Sequence, residues 1–346
     1  MQNKINVLLT GCGSPGGPGI IKSLELDDNI NVHAVDADSN ATGRLLSSNF
    51  FKIPRADNAK FIDELLKICK KLEINVILPL VTMELLKLSK HIKFFEDIGV
   101  KVIVSNFNAL TIVNNKCKLY QHLDKKNIDV PSFKFVDSVD KFSKVSESLG
   151  YPKKAIVMKA CMGNGGRGIR ILDSKKNMFN LLFKEKPNSM YTTLESILDI
   201  IDNKQIPEVM LTEYLPGEEL TIDTFVENGL MKIILIRTRD TTNNGISTSG
   251  RFINSVEVKK YISSIVQSLP GLYGPIGFQV KKSVDGKYKL LESNPRMQGT
   301  TVAAIGLGVN LPVIAIYSAI GRSLPKLGKD SGVGFARYYQ EIFYEC

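Results

Sequence analysis

The chain has 346 residues, 43% apolar and 23% charged, with a formal net charge of +10. Two or three packed units with a large core are expected at that length, and no apolar run is long enough to span a bilayer. The lysines are interspersed with acids, as in Lys70-Lys71-Leu72-Glu73, and no basic tract interleaved with aromatics stands out, so neither a nucleic acid nor a membrane is expected as a partner.

Met1-Gln2-Asn3-Lys4-Ile5-Asn6 lacks the long apolar stretch of a secretion signal, and a cytoplasmic location is the expectation. Residues 5–9 form an apolar strand that ends in a turn containing Gly11, Gly13 and Gly16, and a helix follows to about residue 26. A second strand, 32–35, ends at Asp36. Apolar spacing predicts helices at 61–71 and 84–95 and strands at 76–79 and 100–104. Strands alternating with helices argue a parallel, doubly wound sheet over the first 105 residues. Beyond a seam near 106–115 the pattern changes. A helix at 115–126 is followed by a strand at 133–136, a short helix and a strand at 156–159. A glycine-rich turn then leads to a strand at 168–172, and the stretch 174–203 reads as mostly helical. From 209 onward the strands lengthen, at 209–214, 220–226, 231–237, 276–282 and 287–293, and read as antiparallel sheet. The expected class is α/β plus α+β.

Gly11-x-Gly13-x-x-Gly16 after a strand, with Asp36 closing the next one, has the form of a dinucleotide fingerprint. Pro15 and Pro18 lengthen the loop, Pro18 suiting a first helical position, so a loop offering N–H groups to some anionic substrate is the other reading. The second turn runs Lys159-Ala160-Cys161-Met162-Gly163-Asn164-Gly165-Gly166-Arg167-Gly168 between two strands. It lacks a Walker signature, yet a glycine hairpin can close over phosphates with Lys159 as a point charge; an ordinary mobile hairpin is the alternative. In Glu213-Tyr214-Leu215-Pro216-Gly217-Glu218-Glu219-Leu220-Thr221-Ile222-Asp223 a Pro-Gly turn reverses the chain. Glu219, Thr221 and Asp223 then alternate on one strand face, where carboxylates can accept from ribose hydroxyls.

The last hairpin is the most informative. If Asp285-Gly286 is a two-residue turn, Val284 faces Lys287 and, counting back, Gln279 faces Glu292 with Cβ atoms ~5 Å apart. Asn294 shares that face, while Phe278, Val280 and Leu291 take the apolar one. Three oxygen-bearing side chains thus converge, in a set that suits magnesium, and Pro295 and Arg296 follow directly. The five cysteines (Cys12, Cys69, Cys117, Cys161, Cys346) are scattered and suggest neither a disulfide framework nor a zinc site. His33, His91 and His122 read as packing or surface residues.

Together and in this order, these segments resemble the ATP-grasp superfamily, in the branch similar to one half of the carbamoyl-phosphate synthase large subunit. The carrying motifs are Val76-Ile77-Leu78-Pro79 with Glu84-Leu85, Asn115-Lys116, the Lys159 glycine turn, Glu213 to Glu219, and Glu292-Ser293-Asn294-Pro295-Arg296. The resemblance implies an N-terminal domain over 1–112 and an ATP-grasp domain over 113–346, with a lid at about 131–212. It implies ATP and Mg2+ (or Mn2+) as cofactors. Lys116, Lys159 and the loop glycines Gly163, Gly165 and Gly166 would meet the phosphates. Glu213, Tyr214 and Leu215 would line the adenine and Glu219 would bind ribose. Gln279, Glu292 and Asn294 would hold the metal, and Arg296 would steady a phosphorylated intermediate. Two departures stand out: Asn115 replaces a common Asp, and Thr82-Met83 replaces a more acidic stretch.

The expected activity is that of a carboxylate–amine ligase: ATP phosphorylates a carboxylate, an amine attacks the acyl phosphate, and ADP and phosphate leave. Arg237 and Arg239 lie on a loop (237–247) where a bidentate clamp on the substrate carboxylate is one reading and a solvated loop the other; the clamp is preferred for Arg237. A carbamoyl-phosphate-synthase-like subunit and a non-catalytic ATP-binding protein are the alternatives, and a homodimer is the assembly that such relatives suggest.

Overall fold

A computed structural model describes residues 4–163, 165–185, 189–202, 204 and 206–345. Met1, Gln2 and Asn3 of the quoted N-terminus, Asn164 of the glycine turn and Cys346 lie outside the described residues.

The first sheet is doubly wound as expected. Its five parallel strands are β1 (Ile5–Thr10), β2 (Ile30–Asp36), β3 (Asn49–Lys52), β4 (Val76–Pro79) and β5 (Lys101–Val102), in the order β3-β2-β1-β4-β5. Val7, Leu8 and Leu9 are all fully buried, because a parallel sheet with helices on both faces must be apolar on both sides. α1 (Gly17–Leu24) carries Pro18 in its first turn. α2 (Phe61–Lys71) buries Phe61, Ile62, Leu65 and Cys69, with acids in its first turn and lysines in its last, as the helix dipole favours. The helix expected over 84–95 is two helices, α3 (Thr82–Lys90) and α4 (Ile92–Glu96). They part at His91, whose Nδ1 lies 2.8 Å from the Lys87 carbonyl. The strand expected over 100–104 keeps only two residues in its ladder, since Ser105 turns away to donate to the Tyr273 carbonyl at 3.1 Å. β3, half-buried at the sheet edge, was not foreseen.

α5 (Phe107–Val113) and α6 (Lys116–Lys125) lead into the second sheet. Asn115 caps α6 by accepting from the Lys118 amide at 3.0 Å; an asparagine serves there as well as an aspartate. The second sheet holds β6 (Phe133–Val136), β7 (Ile156–Ala160), β8 (Ile169–Leu172), β9 (Tyr191–Thr192) and β10 (Val209–Glu213), in the order β6-β10-β7-β8-β9. Helices α7 (Val139–Ser148), α8 (Met178–Phe183) and α9 (Leu194–Ile201) accompany it. The stretch read as helical over 174–203 therefore also contains β9, which pairs with β8.

The third sheet is the antiparallel one. Its strands are β11 (Glu219–Glu227), β12 (Leu230–Thr238), β13 (Thr241–Asn243), β14 (Ile246–Ile253), β15 (Gly274–Lys282), β16 (Tyr288–Asn294) and β17 (Gly334–Ala336). Their order is β13-β14-β12-β11-β15-β16, with β17 added to β14. The segment 237–247, read as a loop, is largely the β13–β14 hairpin. One face of this sheet buries Leu220, Ile222, Ile236, Phe278 and Val280 against α6 and α10 (Val256–Ser268). The other is polar near its centre, and further along it packs Phe225, Ile233 and Leu235 against the first sheet's core and α11 (Leu311–Ala319). α11 also returns the chain to α1, where the Tyr317 hydroxyl donates to Asp27 at 2.7 Å. Among the described residues no single helix is long and apolar enough to cross a membrane.

Candidate functional site

The polar face of the third sheet is a cross-strand row. Arg237, Thr221, Gln279 and Glu292 sit side by side on β12, β11, β15 and β16. The next row on the same face is Leu235, Asp223, Gly277 and Asn294. Directly opposed residues share a face, so Gln279, Glu292 and Asn294 are gathered as expected, although the hairpin does not do it in the expected way. Ser283 N donates to the Lys287 carbonyl at 2.8 Å, so the turn is the three residues Val284-Asp285-Gly286, with Gly286 at φ +85. That shifts the ladder by one, and a bulge between Gln279 and Val280 shifts it back. The extra residue is Leu291. Leu290, not Leu291, takes the core position, and the Leu291 carbonyl is turned out of the ladder.

That carbonyl has a use. Lys159 Nζ donates to it at 3.3 Å and to the Tyr120 hydroxyl at 2.9 Å, while Tyr120 donates to the Leu290 carbonyl at 2.6 Å. Lys159 is 4% exposed, not the exposed lysine of an ordinary hairpin. Burial pushes its ammonium down to about 8, against the pull of Glu292. Tyr120 carries no motif. Its only signal was a tyrosine on the buried face of an amphipathic helix, where the hydroxyl needs a partner. Lys116, opening α6, donates to the Gly163 carbonyl at 2.8 Å and lies 3.4 Å from Glu292 Oε2. One lysine thus joins the glycine turn to the central carboxylate. In that turn Gly165, Gly166 and Gly168 all have positive φ, a backbone that few other residues adopt.

The strand-end cluster is more heavily engaged than the sequence implied. Glu213 accepts from Lys289 Nζ at 2.7 Å and from the Ser132 amide at 2.9 Å, so its side chain fastens β10 to its surroundings. Leu215 is buried. The Tyr214 ring lies under Lys281 Nζ, 5.3 Å from its centre. Glu219 pairs with Arg239 at 2.9 Å, and Arg239 also donates to Thr221 Oγ1 and the Gly245 carbonyl. Arg239 is therefore held in place.

Arg237 is not. It is 0% exposed and 3.1 Å from Asp223 Oδ2, yet the approach is out of line, and Nε, Nη1 and Nη2 all lack hydrogen-bond partners. Asp223 Oδ1 is instead engaged by Gln298 Nε2 at 3.1 Å and Thr301 Oγ1 at 2.8 Å. Gln298 fits there because Gly277 has no side chain: a Cβ would lie 2.3 Å from its amide carbon. A buried guanidinium with unmet N–H groups is costly unless water or a ligand meets them. Arg296, beside the row, donates from Nε to Thr82 Oγ1 at 3.0 Å and from Nη1 to the Met297 carbonyl.

The first glycine loop closes on itself. Asp36 accepts from the Gly13 and Asp38 amides at 2.8 and 2.9 Å, which ties the loop to the end of β2. A Cβ on Gly17 would meet the Cys12 carbonyl at 2.1 Å, and one on Gly16 the Gln298 carbonyl at 3.2 Å, so the loop packs directly against the segment after Arg296. Nearby, the Thr10 hydroxyl donates to Glu84, and burial raises that carboxyl to about 7. The three histidines are packing residues, His122 for instance lying 2.8 Å from the Ser268 carbonyl. The cysteine expectation fails at one point: Cys117 and Cys161 form a disulfide, 44 residues apart. Two cysteines so distant in sequence announce nothing until α6 and the end of β7 are brought together.

Among the described residues no three His, Cys, Asp or Glu side chains cluster as a metal cage. Glu292 and Gln279 of the first row and Asn294 of the next offer one carboxylate and two amides, with Asn294 Nδ2 3.3 Å from Glu292 Oε1. That donor set suits Mg2+ bound largely through phosphate oxygens and water, so the residues present fit the ion.

Three family models tile the chain: "PylC-like, N-terminal domain" over residues 7–103, "Carbamoyl-phosphate synthase L chain, ATP binding domain" over 115–198, and "ATP-grasp in the biosynthetic pathway with Ter operon" over 205–335. The carbamoyl phosphate synthase large chain of Thermotoga neapolitana is 24% identical over 255 residues, covering 70% of this chain and 21% of that one. That of Pseudothermotoga lettingae is 23% identical, with 67% and 20% covered. The chain thus spans about a fifth of the length of these curated relatives. Among solved structures, N5-carboxyaminoimidazole synthetase from Staphylococcus aureus complexed with ADP superposes with a TM-score of 0.69 at 15% identity, covering 94% of this chain and 81% of that one. The biotin carboxylase domain of Hydrogenobacter thermophilus 2-oxoglutarate carboxylase, in complex with MgADP, ADP and bicarbonate, gives 0.67 at 16% identity, with 96% and 73% covered.

Proposed function

From the premise that the chain belongs to the ATP-grasp superfamily, we propose that it is an ATP-dependent carboxylate–amine ligase working through an acyl phosphate. The observation that carries this reading is the row Arg237–Thr221–Gln279–Glu292, with Lys116 and Lys159 converging on its Glu292 end. In this reading ATP lies between the third sheet and the glycine turn. Lys116, Lys159 and the turn glycines face its phosphates, Tyr214 and Leu215 face the base, and Glu219 faces the ribose. Glu292, with the Gln279 and Asn294 amides, would hold Mg2+, which when bound neutralises charge on the phosphates.

The protein's own groups do the rest. No side-chain nucleophile is required, since the substrate carboxylate attacks the γ-phosphoryl group and catalysis is positioning plus charge stabilisation. Arg237 offers its unpartnered N–H groups to that carboxylate, at the end of the row opposite Glu292. Lys159, held by Tyr120 and the Leu291 carbonyl, presents a fixed cation in a water-poor site, where it acts more strongly than in solvent. Arg296, tied to Thr82, steadies the acyl phosphate. The second sheet, within a lid of about 131–212, covers the nucleotide and excludes water, which limits hydrolysis of that intermediate. The division at 112/113 follows the same reading, and the use of ATP suits a cytoplasmic protein.

The test is release of ADP and phosphate from Mg·ATP over a panel of carboxylates paired with amines, scored against ATP alone. A pair that raises ADP release and yields the amide establishes the ligase. If nucleotide binds and no pair produces ADP, the chain is a nucleotide-binding protein without this activity.

A further inference from the structure

We propose that Cys117 and Cys161 form a reversible redox site that locks the glycine turn onto α6. Each cysteine sits next to a phosphate-facing lysine. Cys117 follows Lys116 in the first turn of α6, and Cys161 lies two residues beyond Lys159, where β7 runs into the glycine turn. Their Cα atoms are 5.0 Å apart. Around them the same seam carries non-covalent contacts: the Lys116 amide donates to the Cys161 carbonyl at 2.9 Å and Lys116 Nζ to the Gly163 carbonyl, with Cys117 and Cys161 packed in one core. α6 packs in the core shared with the third sheet, whereas β7 belongs to the second sheet. The disulfide is the covalent link between the part that carries Glu292 and the turn that closes over it.

A covering loop must open to exchange nucleotide, and opening this one parts the Lys116–Cys161 backbone bond. Hydrogen bonds at a seam break and reform readily, but a covalent bond does not. The oxidised protein therefore keeps the base of the turn closed, and the dithiol lets it open. In a reducing compartment a disulfide is usually transient and regulatory rather than structural. Both sulfurs are buried, so exchange takes place when the turn opens. A small-molecule disulfide is attacked by one cysteine thiolate, giving a mixed disulfide and one small thiol. The second cysteine displaces the other small thiol. Two electrons pass from the cysteine sulfurs to the reagent's S–S bond, and the two cysteine protons leave on the released thiols. Cys12 and Cys69 are buried and separate, with thiols pushed up to about 12, and they take no part.

This inference rests on the proposed nucleotide site, and the experiment separates the two. The full chain is equilibrated with oxidised or reduced glutathione and mapped by non-reducing peptide mass spectrometry. Amide hydrogen exchange is followed across the turn after β7, and release of a fluorescent ATP analogue is timed. Expected are a Cys117–Cys161 link reversed by reductant, slower amide exchange in the oxidised turn, and nucleotide release slowed about tenfold, equivalent to about 1.4 kcal/mol. Cys117→Ser, with Cys117→Ala as a second variant should it misfold, loses all three responses. Failure of the link to form in wild type overturns the proposal, as does a link that leaves amide exchange and release equal to those of the variant. If the analogue binds in neither redox state, the ATP-site reading fails, and amide exchange alone still decides the lock.

Discussion

Lys159 Nζ lies 2.9 Å from the Tyr120 hydroxyl, and burial holds its ammonium down at about 8. Below that pH the folded chain carries the charge, and above it the lysine is neutral. The unfolded chain stays protonated to about 10.5, so this group's contribution to stability rises between the two values. Phosphates placed beside the ammonium would favour its charged form. ATP binding is then predicted to take up about 0.5 proton at pH 8, and affinity to fall about tenfold per unit well above that pH. Calorimetry in two buffers of different ionisation enthalpy measures the uptake. Lys159→Met should abolish it, and an uptake unchanged in that variant contradicts the assignment.

Glu292 is the only carboxylate in the row that holds Gln279 and Arg237. Glu292→Gln keeps the size and removes the charge, so the Mg2+ dependence of nucleotide binding should flatten and turnover should fall about 10²–10³-fold. Because Lys116 also loses its 3.4 Å partner, metal-free ATP affinity should stay the same or rise. A magnesium titration indistinguishable from wild type would sink the metal assignment.

Arg237 should trade stability against function. Its three guanidinium nitrogens are buried without hydrogen bonds, and removing it alone strands Asp223, so the informative variant is Arg237→Met with Asp223→Asn. The asparagine oxygen can still accept from Gln298 and Thr301, which now meet Asp223 Oδ1. Replacing a poorly bonded buried pair by neutral groups is often stabilising. Thermal unfolding should show a Tm equal to or above wild type, while kcat/KM for the carboxylate drops about 10²-fold. Normal catalysis in a stable double variant removes Arg237 from the substrate site.

Much of this was legible in the sequence because period and opposition are local rules. The alternation at Glu219, Thr221 and Asp223 placed them on one face, and β11 keeps that register. Gln279 and Glu292 are paired as the sequence implies but through a different turn: it begins one residue earlier than Asp285-Gly286 implies, at Val284, and the Leu291 bulge restores the count. Bulges leave little trace in composition, which is why Leu290 and Leu291 were interchanged. The remaining gaps are non-local. Tyr120, the Cys117–Cys161 bond and the Gln298–Asp223 contact each join segments 39 to 75 residues apart, and no period reports such a meeting.

Glu84 offers a test of the first sheet's part in the site. It is 6% exposed, accepts from the Thr10 hydroxyl, and its carboxyl is raised from 4.5 to about 7 by burial, with Asp36 adding to the shift. Between those values the folded state keeps a proton that the unfolded state has lost. Stability from this group is therefore full below about pH 4.5 and is lost as pH rises to about 7, beyond which the buried charge is fully felt. Glu84→Gln keeps an oxygen for Thr10 and carries no charge. Relative to wild type it should be more stable by about 1–3 kcal/mol above pH 7, with the difference vanishing near pH 4.5. Urea unfolding at pH 5 and pH 8 measures both ends. A variant less stable at pH 8 would mean that the Glu84 charge has a cationic partner, and Arg296, tied to Thr82 two residues away, is the first candidate.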